Sequence, residues 1–139
     1  MRDISTYSST AYVFCILVLY ISCEKPKGLP YYDKKLYDKM VIIPLNGCTS
    51  CSYGPISTIK NDLKDNSRTL FIITRILDRK VPSIVLGEEI INKINIVVDY
   101  ENEFQKYPDL NQLYPVVYKQ NTKEIIKIKT VEQWEKYRE

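Results

Sequence analysis

The fold is decided by the stretch MVIIPLNGCTSC, which occupies residues 40–51. Its first half is a continuous apolar run with β-branched residues, a pattern typical of a strand buried on both faces. Gly47 allows a tight turn after this strand. Cys48 and Cys51 follow, three positions apart, and the sequence beyond them predicts a helix. The stretch therefore predicts a strand, a turn and a helix, with two sulfurs where the helix begins.

The rest of the domain alternates between strand and helix patterns. A helix is predicted over 52–64 because Ile56, Ile59 and Leu63 share one face. Further strands are predicted at 69–76, 96–98, 114–118 and 124–129, with a helix at 82–93 that Gly87 weakens and a loop with a helical turn at 101–112. A last helix follows, with a capping box formed by Thr130 and Gln133. Its Val131 and Trp134 are expected to face the sheet. This order predicts an α/β fold with a mostly parallel sheet and an antiparallel hairpin at its edge.

Composition excludes several classes of protein. The chain has 139 residues and an apolar content of 45%, which suits one modest folded domain and excludes a disordered chain. The net charge of +3 is small and the lysines are scattered, so no nucleic-acid partner is expected. Histidine is absent, which removes the commonest general base and leaves a zinc site short of ligands. No metal and no cofactor are predicted.

The N-terminus carries a targeting pattern. An apolar run at 11–21 follows Arg2 and is too short to cross a bilayer of ~30 Å, but it has the length of the apolar region of a signal peptide. The run ends at Ser22 and Cys23, which resembles a bacterial lipobox, although Tyr20 stands where the lipobox has Leu and Leu19 lies one step away. This resemblance implies removal of residues 1–22 and a lipid on Cys23. An uncleaved short anchor and an ordinary signal peptide are the alternatives, and all three place the domain outside the cytoplasm.

Residues 23–38 are expected to form a tether, because prolines, a glycine and many charges make a poor helix and a poor strand. In its second half, Tyr31, Tyr32, Leu36 and Tyr37 are expected to pack at the edge of the domain. The folded domain is expected to span 39–139. Cys15 lies inside the apolar run, so Cys48 and Cys51 would keep the only free sulfurs of a processed, lipidated chain.

This arrangement resembles the thioredoxin-like fold, and more closely the membrane-tethered (TlpA-like) thiol–disulfide oxidoreductases of bacterial envelopes. The matching features are the Cys-x-x-Cys after the first core strand, the segment 97–100 followed by Phe104, the strand opened by Tyr114 and Pro115, and the terminal hairpin with its helix. The resemblance covers roughly residues 38–139. It implies a central mixed sheet of about five strands flanked by helices.

The resemblance also implies roles for individual residues. Cys48 would be the exposed nucleophile, and Cys51 the buried thiol that resolves the mixed disulfide. Pro115 would have a cis peptide bond and lie beside the sulfurs, and Tyr114 would offer backbone groups to a bound peptide. The implied partners are protein thiols or disulfides of the envelope, with the domain facing the periplasm and the lipid on Cys23 in the membrane. The direction of the reaction is not set by Thr49 and Ser50.

Two of the departures from the family keep other functions open. Gly47 replaces an aromatic residue, and the strand at 41–45 has no Asp or Glu to accept a proton near Cys51, so water or a more distant group such as Asp99 is left as the acceptor. One alternative is a lipid-tethered binding module with a structural disulfide and no turnover. Another is a copper(I) site of two thiolates, for which Met40 is the only methionine that processing would leave.

Overall fold

A computed structural model of the chain describes residues 29–33, 35–63 and 67–138. The signal peptide, Cys15, the lipidation of Cys23 and the first part of the tether lie outside these residues. Among the described residues, no helix is both long enough and apolar enough to cross a bilayer.

The described part of the chain contains five strands and four helices. The strands are β1 (Lys39–Pro44), β2 (Thr69–Thr74), β3 (Ile96–Val98), β4 (Val116–Lys119) and β5 (Glu124–Lys127). The helices are α1 (Thr49–Asp62), α2 (Val81–Leu86), α3 (Glu88–Ile91) and α4 (Val131–Tyr137), and a 3-10 turn covers Glu103–Lys106.

The strands form one mixed sheet in the order β3-β2-β1-β4-β5. β1, β2 and β3 are parallel, whereas β4 is antiparallel to β1 and to β5. The structure is therefore an α/β fold with a single five-stranded sheet flanked by helices, consistent with a thioredoxin-like fold, and the predicted fold class is confirmed. Parallel strands end at the same edge of a sheet, which is where α/β proteins place their sites.

Apolar side chains cover both faces of the sheet. On one face, Val41 and Ile43 of β1 pack in a cluster with Ile59 of α1 and Trp134 of α4. On the other face, residues from β1 and β2 pack with Tyr37, Phe104 and Leu110 outside the helices. The unbroken apolar run of β1 follows from this burial on two sides, because a strand with one wet face would alternate.

The segment before β1 packs largely as predicted. Tyr37 is buried, Tyr32 meets Tyr118 edge to face, and Tyr31 stacks on Phe104. Leu36 instead stays 56% exposed.

The structure differs from the sequence-based expectation in several details. The helix predicted over 82–93 is two short helices, divided at Gly87, whose φ of 95° is outside the helical range. β4 begins at Val116 and not at residue 114, since Pro115 has no N–H to give to a strand ladder. Val131 does not face the sheet, being 37% exposed, whereas Trp134 is 1% exposed as predicted.

Candidate functional site

The turn after β1 delivers Cys48 to the start of α1. The β1–β2 ladder continues past Pro44, because Leu45 N–H donates to the Thr74 carbonyl at 2.9 Å. Cys48 is then the N-cap of α1, with extended backbone angles of φ −72° and ψ 99°. Its carbonyl accepts the first bond of the helix, from Ser52 N–H at 3.1 Å. The predicted order of strand, turn and helix is therefore confirmed.

Cys48 and Cys51 form a disulfide with a Cα–Cα distance of 5.2 Å. The two sulfurs differ in access, because Cys48 is partly exposed while Cys51 is 6% exposed. The Cys51 N–H donates to Cys48 Sγ at 3.3 Å, and the Ser50 hydroxyl lies 3.4 Å from the same sulfur. In the reduced protein these donors and the helix N-terminus would stabilise a thiolate at Cys48.

The buried sulfur contacts a backbone carbonyl, and no acidic hydrogen-bond partner of it is found in the described part of the chain. Cys51 Sγ lies 3.3 Å from the carbonyl oxygen of Lys129. A disulfide sulfur carries no hydrogen, so this is a contact in the oxidised protein, and the carbonyl becomes a hydrogen-bond acceptor when Cys51 is a thiol. An amide carbonyl accepts a hydrogen bond but does not remove a proton. β1 contributes no acidic group either, because its sequence is KMVIIP.

Asp99, the candidate proton acceptor, is hydrogen-bonded to groups other than Cys51. Its side chain is fully buried and accepts hydrogen bonds from the hydroxyl groups of Tyr31 and Thr74 and from the N–H groups of Glu103 and Phe104. These partners hold together the end of β2 and the turn after β3. The contacts therefore assign Asp99 to the structure of this turn, and none of its four partners is Cys51.

The loop before β4 lies beside the cysteines. Val116 is paired with Ile42, so the preceding residues of the antiparallel partner run alongside the end of β1. The Leu113 carbonyl accepts a hydrogen bond from Cys48 N–H at 2.5 Å. A Cβ on Gly47 would collide with that same carbonyl oxygen, which explains why glycine occupies this position. The departure at Gly47 is thus a requirement of close backbone packing.

The expectation of a cis peptide bond at Pro115 was wrong, because the described residues contain no cis peptide bond. Pro115 is buried, and its carbonyl accepts a hydrogen bond from Ile128 N–H at 2.8 Å. Ile128 is followed by Lys129, whose carbonyl contacts Cys51 Sγ. The expectation rested on family resemblance alone, and an X-Pro bond by itself favours trans. The backbone contact with Cys48 is made two residues earlier, by Leu113. The structure thus brings the segment 113–115 to the end of the sheet that carries the cysteines.

The side chain of Tyr114 contacts two other side chains. Its hydroxyl donates to Gln112 Oε1 at 3.1 Å, and the Lys129 ammonium lies 5.6 Å from the centre of its ring. Tyr53, two residues after Cys51, is exposed on α1.

Sequence reasoning missed Arg75, which follows β2. Its Nε donates to the carbonyl of Asn46 and its Nη1 donates to Asn111 Oδ1, both at 3.0 Å. One guanidinium thus links the turn before Cys48 to the loop that carries Leu113. The Arg75 φ of 55° is unusual for a residue with a long side chain. A signal was present in the sequence, since Arg75 is the single charge in the apolar run 69–76, at the end that meets the site.

The fold and this site together define an α/β protein with a partly exposed Cys-x-x-Cys disulfide at a helix N-terminus. Such a combination is compatible with redox function. Comparison with known proteins adds no relative, because no family model, no curated protein and no solved structure matches the chain significantly. Among the described residues, no group of three or more His, Cys, Asp or Glu is placed to hold a metal ion.

Proposed function

We propose that this protein is a thiol–disulfide oxidoreductase, or a redox partner, that acts on envelope proteins through Cys48 and Cys51. The observation that carries the proposal is the unequal pair of sulfurs. Cys48 is reachable and accepts a hydrogen bond from Cys51 N–H, while Cys51 lies buried behind it. Exchange through a mixed disulfide needs this division, with one sulfur to attack a partner and a second to release it.

The reaction proceeds in two displacements. The Cys48 thiolate attacks one sulfur of a partner disulfide, a mixed disulfide forms, and the partner's other sulfur leaves as a thiolate that takes a proton from water. Cys51 then loses its thiol proton to water, and its thiolate attacks Cys48 Sγ and releases the partner's second sulfur as a thiolate, which takes up a proton. The partner disulfide is reduced to two thiols and the Cys48–Cys51 pair is oxidised. The same steps in reverse oxidise a partner dithiol, so the potential of the pair decides the direction.

The proposal includes a location and a mode of partner binding. Residues 1–22 would be removed, Cys23 would carry a lipid, and the domain would face the periplasm. The support is the sequence of the apolar run and of Ser22 and Cys23. Tyr114 and Pro115 would lie beside a bound protein substrate, and the support is the contact of their loop with Cys48.

The decisive experiment has two arms. The potential of the Cys48–Cys51 pair is measured by alkylation after equilibration in glutathione and dithiothreitol buffers, and we expect a value above about −300 mV. In the second arm, Cys51→Ser is expected to trap mixed disulfides with envelope proteins, because no resolving thiol is left. Cys48→Ser is the matched control and is expected to trap far fewer, since Cys51 is buried. A potential below about −300 mV together with no trapped partner would overturn the proposal.

A second candidate function is a tethered binding module with a structural disulfide. It is favoured because the contact of Cys51 Sγ within residues 29–33, 35–63 and 67–138 is a backbone carbonyl and because Asp99 is bonded in the turn after β3. Its test is whether the Cys48→Ser variant keeps the cellular role of the protein. A binding module keeps this role without the Cys48 sulfur, whereas an oxidoreductase loses it.

A further inference from the structure

Two positively charged residues contact the segments around the disulfide, and the charged groups of both have neutral partners. Arg75 donates to a backbone carbonyl and to a side-chain amide, at Asn46 and Asn111. The Lys129 ammonium lies over the ring of Tyr114, and the Lys129 carbonyl is the contact of Cys51 Sγ. Among the described residues, no carboxylate lies within 4.0 Å of either charged group. Neither charge is neutralised by an ion pair.

Two acidic residues on segments that adjoin the site, Glu132 and Asp99, are directed elsewhere. Glu132 begins α4, where its own backbone N–H and then the Thr130 hydroxyl hold the pKa of its carboxyl below the usual value. Its charge is thus bound to the positive end of that helix. Asp99 is fully buried and directed into the turn after β3. Arg75, Leu113 and Lys129 form what we call the rim of the site, and within the described residues this rim carries two positive charges without an ion pair.

Leu113 adds exposed apolar surface to this rim. The side chain of Leu113 is 56% exposed, and its backbone touches Cys48. Apolar contact does not distinguish an acidic partner from a basic one, so charge is the feature by which this rim can separate the two. Charges of this kind act mostly on the rate of encounter with an oppositely charged partner.

We propose that the site selects anionic disulfides, meaning disulfides whose neighbouring residues are Asp or Glu. This inference rests on the proposed function and names the substrate class of the same site. Arg75 and Lys129 attract the acidic flanks of the partner toward Cys48 from two sides. Arg75 bonds to both loops around Cys48, which holds its charge in place, and the Lys129 ammonium lies over the Tyr114 ring.

The test uses the full chain in its reduced form and two disulfide-linked peptide dimers of equal length. In one dimer Asp stands on both sides of the cysteine, and in the other Lys does. The rate of single-turnover reduction is measured for each dimer and divided by the rate at which neutral dithiothreitol reduces it. At low salt the acidic dimer is expected to react about tenfold faster than the basic one. The preference is expected to vanish near 1 M salt, where the screening length is ~3 Å.

Variants assign the preference to the two charges. Arg75→Gln with Lys129→Gln is expected to bring the ratio of the two rates close to one, whereas Arg75→Lys keeps most of it. Arg79→Gln is the matched control, because Arg79 is exposed and paired with Glu101, and it is expected to leave the ratio unchanged. A general loss of reactivity cancels in this ratio, since the same thiolate attacks both peptides.

Two failures can be told apart. If the reduced protein reacts with neither dimer, the proposed function itself fails. If it reacts with both at equal rates, or if the double variant keeps the preference, the oxidoreductase proposal survives and the selection of anionic disulfides is overturned.

Discussion

At the scale of single residues, the site depends on contacts between residues that are far apart in the sequence. Cys48 and Cys51 are three positions apart and follow a strand pattern, so the local sequence predicts two sulfurs where a helix begins. The contact of Cys51 with Lys129 joins residues 78 positions apart, and that of Arg75 with Asn111 spans 36. No periodicity links residues at such separations, so only the folded sheet shows that they meet.

Asp99 shows how a plausible chemical role gives way to a structural one. The sequence marked it as an acid at a strand end, and the structure gives it four donors. We expect Asp99→Asn to lower the free energy of unfolding by about 1–3 kcal/mol, because an amide group cannot accept from all of them. Thiol–disulfide exchange is expected to keep its rate. Chemical denaturation and single-turnover exchange measure the two effects.

The control for this substitution is Asp109→Asn, because Asp109 is exposed and outside the cluster. If Asp99→Asn instead slows the release of a mixed disulfide and leaves stability unchanged, then Asp99 does take the proton of Cys51. The assignment of Asp99 to the turn would then be wrong.

At the scale of elements, the apolar runs predicted every strand, but their ends depended on single residues. β1 and β2 were clear because β-branched residues fill them. The prediction of one helix over 82–93 was wrong at Gly87, where the backbone angles leave the helical range and divide it into α2 and α3. The start of α4 was clear, since Thr130 accepts from Gln133 N–H as a capping box requires. The Gln133 side chain accepts from Lys129 N–H and not from that of Thr130, so the cap also fixes the residue that touches Cys51.

The pairing of β1 with β2 is reinforced at its start by Asp38 and Arg68. The guanidinium of Arg68 donates to both carboxyl oxygens at 2.6 and 2.8 Å. The hydrogen bond from Arg68 holds the pKa of Asp38 below its ordinary value. A carboxyl whose pKa falls on folding stabilises the fold above its unfolded pKa, and this contribution is lost as the pH falls through the folded pKa.

We therefore expect Asp38→Asn to lower the melting temperature slightly at neutral pH, because both groups are exposed and screened. The difference from the natural protein is expected to shrink below the ordinary carboxyl pKa of 3.8 and to vanish in stronger acid. Melting curves across this pH range measure it. Arg68→Gln alone and with Asp38→Asn completes a double-mutant cycle, and a coupling that persists in strong acid would contradict the ion-pair explanation.

At the scale of the whole molecule, the disulfide lies outside the two apolar clusters. Neither cluster contains Cys48 or Cys51, although Cys51 itself is buried. The clusters are built on the two faces of β1 and β2, and the cysteines follow the end of β1. Most of the buried apolar packing of the described residues is therefore made without the two sulfurs.

Reduction of the disulfide is accordingly expected to leave the protein folded. A cross-link that encloses only two intervening residues removes little freedom from the unfolded chain, worth about 2 kcal/mol at most. Trp134→Ala, by contrast, is expected to cost about 3–5 kcal/mol, because Trp134 is 1% exposed and its Nε1–H donates to Thr58 at 2.9 Å. Circular dichroism melts with and without dithiothreitol, and with Cys48→Ser plus Cys51→Ser, compare these costs. If reduction unfolds the protein while Trp134→Ala leaves it folded, the disulfide is structural and redox turnover through it is excluded.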